Sequence, residues 1–231
     1  MDSHLIQLGF SKSQSKATLY VKNINGESLV VSIYVDDMLV TGSKIELIQK
    51  FKYEMEKVFE MTDLGVMKYF LGMEVMQPND GFFICQQKYM SDILHRFKMQ
   101  DCKPVSTPIS TGLKLGKDEN AEKVDESIYR SLIGCLLYLT ASKPNILFAV
   151  SLLSRFMYST KETHLTAAKR VLRYIKGTNT LGIFFPASAG KTLKLVGYSD
   201  SDWGGCVEDS KSTSGYVFSL GSSFFSWSST K

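Results

Sequence analysis

Two adjacent carboxylates, Asp36 and Asp37, stand between the apolar runs Val30-Val31-Ser32-Ile33-Tyr34-Val35 and Met38-Leu39-Val40-Thr41. Both runs are short and rich in β-branched residues, as buried strands are, so residues 29–35 and 38–41 are expected to pair. Charge in the middle of such a strand needs partners on both faces, which places the acidic pair at a tight turn closing a hairpin. Asp-Asp is ordinary turn chemistry in itself. Held close on a rigid hairpin, though, the two carboxylates repel, and a divalent cation relieves that repulsion most simply. Hard oxygen ligands without a neighbouring Cys or His suit Mg²⁺ or Mn²⁺.

Two further groups have chemistry open to them. Asp200 and Asp202 lie in Gly197-Tyr198-Ser199-Asp200-Ser201-Asp202-Trp203, at the end of an expected strand. Carboxylates at a strand end also cap turns, and the residues alone leave both readings open. Lys169, Arg173 and Lys176, with Arg170 beside them, recur at helical spacing opposite Ala168, Val171, Leu172 and Ile175. Such a stripe is usually a solvated face, and it is also able to track a phosphate backbone with salt-dependent affinity. His4, His95 and His164 are isolated in sequence and are expected at the surface or at helix caps.

The elements that must position these groups read clearly in places. Residues 18–24 and 28–35 alternate as strands around Asn25-Gly26, a hairpin-turn pair. Ser43 and Glu46 form a capping box, so a helix is expected from there to about residue 60, with Ile48, Phe51, Met55, Val58 and Phe59 inward. Residues 69–76 and 82–85 form a second hairpin across Pro78-Asn79-Asp80-Gly81, and 87–97 is helical. Residues 98–126 hold Pro104, Pro108 and many polar residues and read as one long connection. From Ser127 the pattern is wholly α. Tyr129, Leu132, Ile133, Leu136, Leu137 and Thr140 mark one face of the first helix, Pro144 opens a second running to about residue 158, and a third covers about 162–176 and stops at Gly177. Residues 181–185, 193–199, 214–220 and 223–228 revert to strands.

The 231 residues allow one large domain or two modest ones. Hydrophobic content of 44% and charged content of 22% are those of a soluble globular protein, and a net charge of +4 permits an anionic partner without requiring one. Cys85, Cys102, Cys135 and Cys206 are scattered, with no CxxC pattern, and read as free thiols in a reducing, intracellular setting. No run approaches membrane-spanning length.

Several words of the sequence resemble copia-type retrotransposon Pol polyproteins. They are YVDDMLVTG (34–42), FEMTDL (59–64), KYFLGMEV (68–75), CKPVSTP (102–108), YRSLIGCLLY (129–138), RVLRYIKG (170–177) and VGYSDSDW (196–203). The resemblance runs through nearly the whole chain in one order. It implies a fragment of a reverse transcriptase, an RNA-directed DNA polymerase, followed by the start of an RNase H domain. Asp36 and Asp37 would be catalytic metal ligands for Mg²⁺ (or Mn²⁺), with Tyr34 beneath the primer end. Phe70, Leu71, Gly72 and Met73 match a primer grip, although an amphipathic hairpin with a Gly bulge explains them equally. Lys169, Arg170, Arg173 and Lys176 would contact nucleic-acid phosphates, and Asp200 would be the first metal-binding, catalytic carboxylate of RNase H. The partners implied are an RNA/DNA template–primer duplex, deoxynucleotides in the parent enzyme, and further Pol segments.

The expected architecture is α+β. A palm-like antiparallel sheet with the metal-site hairpin spans 1–97, a linker 98–126, an all-α thumb-like segment 127–180, and a truncated RNase H-like sheet 181–231. Reverse transcriptases carry a third Asp upstream of the Tyr-x-Asp-Asp hairpin. Here Asp2 and Glu27 are the only acids before Tyr34, and nothing around Asp2 resembles that motif. The helix and later strand that complete an RNase H carboxylate cluster are likewise not found. The chain by itself is therefore expected not to polymerise. The competing expectations are a non-catalytic basic nucleic-acid-binding remnant and a decayed retrotransposon reading frame with no selected function. Asn145 departs from the Asp that the family tends to carry after this Pro.

Overall fold

The computed structural model describes residues 1–113, 115–116, 122–187, 193–206 and 209–231. Its chain divides into two compact units, Met1–Val66 and Met67–Lys231.

The first unit grows from a meander. Asn25 and Gly26 take φ of 51° and 84°, the two left-handed residues that a tight hairpin loop needs. They join β2 (Leu19–Ile24) to β3 (Glu27–Tyr34), which continues into β4 (Asp37–Gly42). A two-residue β1 (Ser11–Lys12) completes an antiparallel sheet in the order β1-β2-β3-β4. Helices α1 (Asp2–Gln7) and α2 (Ile45–Glu56) supply the rest of its core. Leu5, Phe10, Tyr20, Leu29, Val31, Phe51 and Met55 are buried together. Each such side chain withdraws enough apolar surface to be worth about 2 kcal/mol.

The capping box expected at Ser43 does not form. The Ser43 amide donates to the Ser28 carbonyl, and its hydroxyl accepts from the Ser28 amide at 3.0 Å. Ser43 therefore still belongs to the β3–β4 ladder, and α2 begins only at Ile45, with Lys44 at its N-cap and no side-chain cap bond. Val58, expected inward, lies beyond the end of this helix and is exposed.

The second unit packs helices into one large core and carries two sheets. Helices α3 (Gln87–Arg96), α4 (Glu126–Leu139), α5 (Leu147–Ser154) and α6 (Glu162–Gly177) bury Met90, Ile93, Tyr129, Leu132, Ile133, Leu136, Leu139, Ala168, Val171, Leu172 and Ile175 among others. Asp125 caps α4, accepting from the Ser127 amide at 2.8 Å. Leu137 points out and Leu139 in, the reverse of the face read from sequence. Pro144 opens a 3₁₀ turn (Pro144–Ile146), and α5 ends at Ser154, short of the expected 158. Among the described residues, 98–125 hold no helix or named strand, only an isolated bridge from Lys123 to Lys161.

The first sheet of this unit contains β5 (Tyr69–Phe70), β6 (Met73–Met76), β7 (Gly81–Cys85) and β8 (Ile183–Pro186). Residues 69–76 are therefore a hairpin in themselves, turned at Leu71-Gly72, rather than one strand. β8 pairs with β7, Ile84 opposite Ile183, instead of joining the C-terminal strands it was grouped with. Those strands, β9 (Leu195–Ser201), β10 (Ser214–Leu220) and β11 (Ser223–Thr230), form an antiparallel meander in the order β11-β10-β9. The Trp227 indole donates to the Thr140 carbonyl at 3.1 Å and ties this meander to the helices. Among the described residues, no helix is long and apolar enough to cross a membrane.

Candidate functional site

The Asp pair stands at the closed end of the β3–β4 hairpin. Tyr34 pairs with Asp37, so Val35 and Asp36 form the whole loop and Asp37 opens β4. Val35 has φ of 52° and is 80% exposed. A β-branched residue in the left-handed region is strained, by about 1–3 kcal/mol, and persists where the surroundings dictate the turn. Both carboxylates are exposed, and neither has a hydrogen-bond or ion-pair partner among the described residues. They line a cleft of about 310 Å³ together with Met1, Ile33, Val35, Met38, Phe59, Glu60 and Met61. Two unpartnered, adjacent carboxylates are the hard oxygen donors that a divalent cation takes. Among the described residues, no group of three or more His, Cys, Asp or Glu is arranged to hold a metal ion.

Asp2 is engaged elsewhere. Its carboxylate accepts from the Tyr20 hydroxyl and from Lys12 at 2.9 Å. Those hydrogen bonds, Tyr20 first, hold its pKa below the usual carboxylate range.

In the second unit, the Phe70-Leu71-Gly72-Met73 word forms a tight turn. Phe70 pairs with Met73, while Leu71 and Gly72 take φ of 50° and 74°. This is a two-residue hairpin loop, not a bulge.

The basic stripe of α6 is not left open to solvent. Arg173 Nε donates to the Lys103 carbonyl at 2.7 Å, Lys176 to the Cys102 carbonyl at 2.8 Å, and Arg170 to the Thr107 hydroxyl at 2.9 Å. Three of the four cations thus bind the connecting segment to the helix, and Lys169 alone of the four is exposed rather than half-buried. The reason is geometric: consecutive carbonyls of the Pro-containing segment offer acceptors beside the helix, and the forked and flexible donors take them.

Asp200 lies on β9 opposite Gly215, exposed, in a cleft of about 490 Å³ whose walls include Phe148, Tyr198, Asp202, Tyr216 and Trp227. Asp202 accepts from the Thr213 amide at 2.6 Å, and its own amide donates to the Thr213 carbonyl, extending the β9–β10 pairing.

Sequence reasoning missed the roles of two residues and the burial of a third. His164 is fully buried: its Nδ1 accepts from the Lys161 amide at 3.1 Å, capping α6, and its ring stacks on Phe156 at 4.0 Å. The capping expectation is met, and the surface one is not. Lys143 is 1% exposed and donates to the Thr178 carbonyl, where burial lowers its pKa to about 8. Tyr138 donates to the Leu71 carbonyl. Lys143 stands just before the Pro144 that opens a helix, and Tyr138 lies off the helical stripe, so neither carried a signal.

A family model described as reverse transcriptase (RNA-dependent DNA polymerase) matches residues 1–111. The chain is 39% identical over 230 residues to the retrovirus-related Pol polyprotein from transposon RE1 of Arabidopsis thaliana, covering 99% of this chain and 16% of that one. It is 38% identical over 200 residues to an uncharacterized mitochondrial protein of the same plant, covering 86% of this chain and 82% of that one. It is also 30% identical over 233 residues to a putative transposon Ty5-1 protein of Saccharomyces cerevisiae, covering 75% of it. No solved structure matches significantly. The chain belongs to the reverse transcriptase family of copia-type retrotransposon Pol polyproteins, and it spans about one-sixth of the RE1 polyprotein's length.

Proposed function

We propose that, within this family, the chain supplies the paired-carboxylate hairpin of an RNA-directed DNA polymerase and part of the surface that holds a template–primer duplex. The observation that carries this reading is the presentation of Asp36 and Asp37 on a two-residue loop with no protein partner among the described residues. Mg²⁺ or Mn²⁺ held there would neutralise charge on the attacking and leaving oxygens of phosphoryl transfer from deoxynucleotides. The chain's own contribution is orientation: the β3–β4 ladder fixes the loop, and Val35 turns it.

The finer assignment follows the same reading. The first unit is palm-like, residues 70–73 face the primer end, and α4–α6 are thumb-like. The β9–β11 meander is the beginning of an RNase H-like sheet with Asp200 on its first strand, a placement supported by the strand order and by the exposure of Asp200 in a cleft. Lys169 is the stripe residue available to phosphate, since Arg170, Arg173 and Lys176 already bond to residues 102–107.

Two-metal transfer uses more than one carboxylate pair. The hairpin is therefore half of a site, and nucleotide addition needs a further carboxylate from outside it. The test is Mn²⁺ binding to the purified chain, wild type against Asp36→Asn/Asp37→Asn. Saturable binding lost in the double variant is the expected result, and equal binding by both proteins refutes the metal role. Incorporation of nucleotide on a primed RNA template by the pure chain, abolished by Asp37→Asn, would overturn the half-site part.

A further inference from the structure

The Leu71-Gly72 tip is held from the side by a residue that the function above does not use. β6 is anchored by β7, but β5 is a two-residue edge strand that pairs only with β6 among the described residues, so sheet pairing does little to fix the tip. The Leu71 carbonyl at its tip takes the hydroxyl hydrogen of Tyr138, the penultimate residue of α4. The Tyr138 ring meets Tyr89 edge-on, with centroids 4.9 Å apart and planes at 82°. The Tyr89 hydroxyl lies 3.5 Å from the Cys135 carbonyl, at the long limit of a hydrogen bond. A β-carbon on Gly72 would lie 2.1 Å from the Tyr138 hydroxyl, so the turn sits directly on the phenol.

Packing in the core does not call for this arrangement. The buried stripe of α4 is Tyr129, Leu132, Ile133, Leu136 and Leu139, whereas Tyr138 is 41% exposed and Leu71 39%. An aromatic at the surface that spends its one polar atom on a loop carbonyl fixes direction more than it adds stability.

We propose that Tyr138 is a positioning residue that aims the Leu71-Gly72 tip at the recessed 3′ end of a template–primer duplex. The proposal rests on the reading of residues 70–73 as facing the primer end. It adds the element that sets their orientation, a tether from α4 braced by Tyr89.

The experiment uses the full chain and Tyr138→Phe, which keeps the ring against Tyr89 and removes only the hydroxyl. Two quantities are read: hydrogen exchange of the amides in residues 69–76, and the affinity for a duplex with a recessed 3′ end relative to a blunt duplex of equal length. One hydrogen bond of ordinary strength predicts about five-fold faster exchange in 69–76 and an about five-fold loss of preference for the recessed end, with the thermal midpoint lowered by no more than about 2–4 °C. Unchanged exchange overturns the tether. Faster exchange with an unchanged preference overturns the role in aiming the tip, while the tether stands. A wild-type chain with no preference for the recessed end overturns the primer-end reading and the proposal with it, whatever the exchange data show.

Discussion

Replacing Lys143 by Met is expected to stabilise the protein, although it removes a hydrogen bond. Lys143 is 1% exposed, and its ammonium has the Thr178 carbonyl as acceptor but no carboxylate partner among the described residues. Burial lowers its pKa from the ordinary 10.5 to about 8. Below pH 8 the lysine is protonated in both folded and unfolded chains, and the folded state bears the full penalty of the buried charge. Between 8 and 10.5 the unfolded chain keeps its proton while the folded one gives it up, so stability rises with pH, and above 10.5 the penalty is gone. At 1.36 kcal/mol per pH unit the penalty is about 3 kcal/mol. The hydrogen bond to Thr178 offsets about 1 kcal/mol, and Met matches the volume of the lysine stem. Lys143→Met should therefore be more stable by about 2 kcal/mol at pH 7, with the advantage fading as pH approaches 10.5. Both tryptophans, Trp203 and Trp227, lie in the second unit, so urea unfolding followed by tryptophan fluorescence reads the unit that contains Lys143. Taking the difference between the two proteins at each pH cancels the other titrating groups. A variant less stable than wild type at pH 7, or a difference that stays constant from pH 7 to 10.5, would refute the reasoning.

Val35→Gly relieves the left-handed strain in the β3–β4 loop, at some cost in chain entropy. The expected net gain is about 1 kcal/mol, seen as about five-fold slower hydrogen exchange of the β3 and β4 amides; faster exchange would show that the loop is not strained. Arg173→Ala/Lys176→Ala removes two donors to the Lys103 and Cys102 carbonyls, so limited proteolysis within residues 98–107 should accelerate by about ten-fold. An unchanged cleavage rate would mean that the segment is held by its apolar contacts alone.

What the sequence alone determined was local. The β3–β4 hairpin was legible because two β-branched runs around adjacent carboxylates leave one arrangement that avoids buried charge, but its loop is Val35-Asp36 and not the expected Asp36-Asp37, because Tyr34 pairs with Asp37. The apolar stripe of α6 was legible because Ala168, Val171, Leu172 and Ile175 recur at the helical period, and all four are buried. Everything that depended on a distant partner was decided by tertiary structure. The pattern of residues 183–186 marks a strand but says nothing of its neighbour, and β7 rather than β9 receives it. The charges on α6 were visible, yet the acceptors that occupy Arg170, Arg173 and Lys176 are two backbone carbonyls and a hydroxyl more than sixty residues away in sequence. Every residue has a carbonyl, so composition carries no mark of the ones that will be used. Ser43 followed the same logic, drawn from an expected helix cap into the sheet by the backbone of Ser28. Side-chain periodicity is written in the chain, whereas the pairing of backbone groups is settled only when the chain has folded.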